Sequence, residues 1–207
     1  MSLPRWLGPA FWGAVAIAAL WYLAGDLWRI GAERPYSGEP REPGYLGHVV
    51  TAAPLVLIAP LQFVGALRRA RPGLHRALGQ VFLGAAMLSG LFAIWLGATM
   101  PHEGTQLPLM LFGLVWIGFC AIAWQAARRR DFATHRAFAI RSFAIATSFL
   151  LLHLMQDWED RLFWFLESPE LRYASRGWLA FVLPLLAAEA YLGWWPAARR
   201  VFRGPRE

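Results

Sequence analysis

The residues able to do chemistry in this 207-residue chain are its five histidines and an acid set deep in an apolar stretch. His135 and His153 stand 18 residues apart on one helical pattern. Eighteen residues make five full turns, so both rings point the same way, about 27 Å apart along the axis. Ala139, Ser142, Ala146 and Phe149 lie between them, mostly small residues that leave room on that face. His48 opens one further apolar block and His75 another. The layout predicts His48 with His153 near one membrane surface and His75 with His135 near the other. Two bis-imidazole haem b sites, one per leaflet, have this arrangement, as in cytochromes of the b561 type; bundle cofactor sites take their ligands from facing helices in this way. The His48–His153 site is the stronger of the two, because His153 stands about a turn inside the apolar region, where an unpaired polar ring is costly. The plainer account of His75 and His135 is that they cap helices or meet lipid phosphate beside the neighbouring arginines.

A metal centre is the other chemistry these residues suggest. His153 and Asp157 sit at i and i+4 and share a face, with His102, Glu103 and His48 expected near the same level. Histidine with carboxylate suits zinc or another divalent first-row metal, and a hydrated hydrogen-bond cluster is the bland alternative. Glu189 lies about 11 residues into a 21-residue apolar block. An ionisable group at that depth is a functional candidate by default: it could relay protons, meet a substrate cation, or simply hydrogen-bond to a neighbouring helix. Gln62 and Gln80 read as interhelical hydrogen-bond formers. There is no phosphate-binding Walker loop, Gly-x-Ser-x-Gly elbow, His-Glu-x-x-His pair or dinucleotide fingerprint, so the sequence assigns no reaction.

The elements that must position these groups are membrane helices. Apolar residues make up 57% of the chain and charged residues 16%, and the apolar excess falls in blocks of about 20 residues, the length that crosses a bilayer. Six blocks are expected, over about 10–28, 46–67, 77–100, 107–127, 136–156 and 178–198. The fold class is therefore all-α, a six-helix transmembrane bundle in one domain. Gly79, Ala86, Gly90, Ala93 and Gly97 form a stripe on the third block that lets another helix approach closely.

A short basic turn occurs twice, at Arg68–Ala77 and Arg128–Ala137, each reaching His-Arg-Ala seven residues after its first arginine. The ungapped offset of 60 residues predicts two tandem hairpins of the same orientation, the second block with the third and the fourth with the fifth. Thr134 is placed to cap the fifth helix.

Charge sets the side. The termini and both turns carry 14 arginines against Asp131 and Glu207, whereas the opposite loops carry six arginines against ten acids. By the positive-inside rule both termini are cytosolic. All 20 basic residues are arginine, mostly at helix ends, which argues for topology rather than nucleic-acid binding despite the net charge of +7. The lone Cys120 lies in an apolar block and cannot form an internal disulfide.

Gly47-His48, Leu61-Gln62-Phe63, His75-Arg76-Ala77-Leu78-Gly79, and His135-Arg136 followed by Ile140-Arg141-Ser142 give residues 46–156 a likeness to a known family. The segment resembles the bacterial predicted membrane proteins catalogued as domain of unknown function 2306. The resemblance implies a multi-pass bacterial inner-membrane protein and assigns no activity. Where the family usually carries an arginine at the outer end of the fifth helix, this chain carries His153 and Asp157. The reading that follows is a haem-binding redox membrane protein. Its alternatives are a small transporter, an assembly partner of a membrane complex or homo-oligomer, or an outer-face metal site.

Overall fold

A computed structural model describes residues 7–31, 43–99 and 104–202. Its helices are α1 (Leu7–Gly31), α2 (Pro43–Gln62), α3 (Gly65–Ala70), α4 (Pro72–Thr99), α5 (Gln106–Arg128), α6 (Phe132–Ala146), α7 (Ser148–Asp157), α8 (Glu159–Leu162), α9 (Pro169–Glu189) and α10 (Trp195–Phe202). The fold is all-helical. Gly44–Gln62, Pro72–Thr99, Gln106–Arg128, Phe132–Asp157 and Pro169–Phe202 are each long and apolar enough to cross a bilayer, and α1 holds a shorter apolar stretch, Gly13–Trp28. Leu107, Leu114, Trp95 and Trp164 are all more than half exposed, which is costly in water and expected against lipid.

Lipid tails are as apolar as leucine, so close approach and polar contacts must hold such helices together. The glycine stripe supplies the close approach. A methyl group on Gly90 would come 3.0 Å from the Gly113 carbonyl, and one on Gly113 would come 2.8 Å from the Gly90 carbonyl. On the other side of α4, Gly47 lies under the Phe92 ring and Gly44 under Trp95. Pairing of residues 44 with 95 and 62 with 79 makes α2 antiparallel to α4; pairing of 90 with 113 and 97 with 106 does the same for α4 and α5. Leu55, Ala59, Phe82, Leu83, Ala86, Trp116, Cys120, Ala123 and Ile145 form the core where α2, α4, α5 and α6 meet. Within it the Trp116 indole donates to Ser142 Oγ at 3.0 Å, and Cys120 Sγ lies 3.0 Å from the same hydroxyl.

Three expected helices are interrupted. The second block does not run to Leu67: α2 ends at Gln62 and α3 begins at Gly65. The break follows Pro60, and there Phe63 and Val64 turn back with i→i−3 bonds to the Pro60 and Leu61 carbonyls, each at 3.2 Å. The fifth block is split at Thr147, whose hydroxyl turns back onto the Ala144 carbonyl at 2.7 Å, a contact that bends helices. The sixth widens into a π-helical turn at Ala190–Trp194, immediately before Pro196, where an i→i−4 bond cannot form. The bundle has a basic end, holding α3, the start of α4, the α5–α6 turn and α10, and an acidic end, holding α8 and the start of α9.

Candidate functional site

His153 lies at the acidic end of α7. Its Nδ1 is 2.9 Å from the Phe149 carbonyl, which can only accept, so Nδ1 carries a proton. Its Nε2 lies 3.4 Å from Asp26 Oδ2 on α1. Asp26 is only 5% exposed. The two groups are in ion-pair range. Tyr22, one turn before Asp26 on α1, stacks its ring 4.8 Å from the His153 ring and donates its hydroxyl to Asp157 at 2.5 Å. Tyr22, Asp26, His153 and Asp157 thus form one protonatable cluster between α1 and α7.

This arrangement corrects the expected outer haem pair. His153 turns its Nε2 to Asp26 rather than offering it to His48, because α1 brings an acid to that position. His48 turns to α4, where its Nδ1 lies 3.0 Å from the Ser89 carbonyl and 3.1 Å from Ser89 Oγ. The space expected beside Ser142 and Ala146 is filled as well. Ser142 is fully buried in contact with Trp116 and Cys120. Beside Ala146 there is an apolar crevice of about 40 Å³ lined by α1, α2, α6 and α7, against roughly 300 Å³ or more for a site holding a cofactor-sized ligand.

Of the expected metal site, only His48, His153 and Asp157 lie among the described residues. Asp157 is engaged by Tyr22, and among the described residues no three His, Cys, Asp or Glu side chains gather as a metal requires. His102 and Glu103 lie outside the described residues.

At the basic end His75 and His135 lie within electrostatic range of each other, and Arg68 is close to His75. His135 Nδ1 donates to the Ala123 carbonyl of α5 at 2.9 Å. His75 Nδ1 is buried without a hydrogen-bond partner among the described residues, as is Gln62 Nε2. Gln80 is exposed on α4.

Glu189 is paired. Arg141 donates to it twice, Nε to Oε1 at 2.6 Å and a terminal nitrogen to Oε2 at 3.0 Å, and the same guanidinium lies over the Phe138 ring. Both oxygens of the acid are thus engaged by one guanidinium. Arg136 extends the link between α6 and the π turn by donating to Tyr191 at 3.0 Å.

Sequence reasoning missed Asp26 and Arg141 as partners. The signals were present: Tyr22 and Asp26 share a helical face at i, i+4, Arg141 stands about one and a half turns inside its apolar block, and Glu189 about three turns inside its own.

Compared with known proteins, the chain matches the family described as predicted membrane protein (DUF2306) over residues 45–192, from the start of α2 into the π turn after α9. No curated protein and no solved structure matches it.

Proposed function

The chain belongs to the DUF2306 family of predicted membrane proteins, and on that premise we propose a proton-coupled carrier of the bacterial inner membrane with both termini in the cytosol. The observation that carries the proposal is the His153–Asp26 pair, a buried carboxylate 3.4 Å from an imidazole nitrogen whose partner nitrogen is already committed. A proton can be released and taken up at the one Nε2–carboxylate contact while Nδ1 keeps its bond to the Phe149 carbonyl, and Tyr22 and Asp157 extend the cluster towards the acidic surface. Ionisable groups inside membrane bundles mark proton relays and ion pathways. The excess of arginine at the termini and turns sets the orientation, so protons reach the pair from the periplasmic side.

The test needs no knowledge of the solute. Purified protein is reconstituted in liposomes on a solid-supported membrane and given a pH step. The wild type should displace charge transiently as the pair takes up its proton. Asp26→Asn should abolish the signal, whereas Glu170→Gln on the exposed start of α9 should keep it. A wild-type signal no larger than that of empty liposomes ends the proposal. Protein that purifies red, with a Soret band abolished by a histidine substitution, would replace it with the haem reading.

A further inference from the structure

The basic end holds a second polar site, and the internal repeat shows how it arises. In the second hairpin α5 runs unbroken to Arg128, and His135 hangs from the Ala123 carbonyl of that helix. Sixty residues earlier His75 stands in the equivalent place, and the residue equivalent to Ala123 is Phe63. There the helix has stopped: Phe63 and Val64 lie between α2 and α3, and the Phe63 ring packs on Phe143 of α6. His75 therefore loses the carbonyl its counterpart uses.

Gln62, the last residue of α2, lies against α4, with its side-chain oxygen 3.2 Å from where a methyl group on Gly79 would sit. Gly79 is one turn beyond His75 on the same face of α4. Two buried nitrogens, Gln62 Nε2 and His75 Nδ1, are thus left without partners around the break. Buried polar atoms are paired in nearly all proteins, so two in one place call for a partner from outside the chain. Non-helical backbone within a membrane helix is tolerated where it is covered by protein or lines a cavity, and broken helices build many transporter binding sites.

We infer that this niche binds a phosphate-bearing anion, taken up from a lipid headgroup or from solution. Gln62 Nε2 can only donate, and His75 Nδ1 donates when protonated there, so the ligand must offer acceptor oxygens. Arg68 adds positive charge close to His75. Depth argues for phosphate. The 28 residues of α4 make about 42 Å of helix, longer than the roughly 30 Å of hydrocarbon and close to the full bilayer with headgroups. His75, three residues after Pro72, therefore lies at headgroup level, where lipid phosphates are. The inference is independent of proton exchange at the acidic end.

The test uses full-length protein in neutral detergent, with phosphatidylglycerol micelles and inorganic phosphate as separate probes. Thermal unfolding and direct binding are both read. Gln62→Leu removes a buried donor that has no partner, so the ligand-free variant should be as stable as the wild type or more so. It should nonetheless lose about tenfold or more in affinity for the phosphate probe, as should His75→Ala. Arg200→Ala, which removes a full positive charge from exposed α10, should bind within about twofold of the wild type on the same scale. Millimolar phosphate that competes the lipid away assigns the site to free phosphate, and failure to compete assigns it to the lipid headgroup. Gln62→Leu and His75→Ala binding as the wild type does would overturn the inference, as would Arg200→Ala losing as much, or a wild type that binds neither probe.

Discussion

The two basic turns share a sequence pattern and are built differently. In the first, Arg71 is followed by Pro72 at the start of α4, where a missing N–H costs nothing because helix starts leave theirs unpaired anyway. In the second, Arg130 takes a left-handed backbone, φ 61°, and the Asp131 side chain accepts from the Thr134 N–H at 3.1 Å. Asp131 caps the helix, and the expected capping residue Thr134 is the one capped. The larger difference lies one helix earlier. The second turn follows a continuous α5, and its histidine is satisfied by Ala123; the first follows a break, and its histidine is not. The two sequence copies thus differ in local chemistry: His135 Nδ1 is bonded to the Ala123 carbonyl, and His75 Nδ1 is buried with no partner among the described residues.

Moving the break from one copy to the other tests that contrast most severely. Pro60 in the first hairpin corresponds to Cys120 in the second. Cys120→Pro should cost about 3 kcal/mol or more, because it removes an interior helix bond from a fully packed position. Folded yield after size-exclusion chromatography should fall sharply. Pro60→Ala should be tolerated, since its helix already ends two residues later. Equal damage from both substitutions would show that the α2 break is not an adaptation of the first copy.

What was legible in the sequence is what length, spacing and residue size control. Bilayer-length apolar blocks, the charged turns and the glycine stripe on α4 all depend on local composition, and each appears in the fold. The outer site was misread because its partner came from outside the repeat. Asp26 belongs to α1, which the offset does not relate to anything, and only packing of α1 on α7 brings it to His153. The interruptions at Phe63 and Thr147 were hidden for another reason. Membrane helices tolerate proline and threonine, so neither residue type announces a break by itself.

A smaller effect separates the two histidines directly. His135→Ala removes a hydrogen bond of the kind worth about 1 kcal/mol, and His75 Nδ1 has no such bond to lose among the described residues. For a protein of this size that difference corresponds to a fall in Tm of about 2–4 °C for His135→Ala. His75→Ala should leave Tm nearly unchanged in detergent free of phosphate and anionic lipid. Equal falls would mean that His75 has a protein partner after all, and the contrast between the turns would shrink to their caps.

The smallest expected effect belongs to those caps and appears only as acid is added. The Asp131 carboxyl is held below the usual carboxylate range, first by its hydrogen bond with the Thr134 side chain and then by the Thr134 backbone N–H. A depressed folded-state pKa means that the folded chain binds its proton later than the unfolded chain does. The stabilisation is therefore complete above the ordinary Asp pKa and is lost as pH falls through the lower folded value. Asp131 is exposed, so the change is modest and screened by salt. Asp131→Ala should lower Tm at neutral pH and flatten its decline between about pH 5 and pH 3, the window around the reference Asp value. At the first turn the equivalent residue is Arg71, which has no carboxyl to protonate, and Arg71→Ala should leave the acid limb of the curve unchanged. An acid limb unaltered by Asp131→Ala would place the titrating group elsewhere and leave the backbone turn at Arg130 as what distinguishes the second copy.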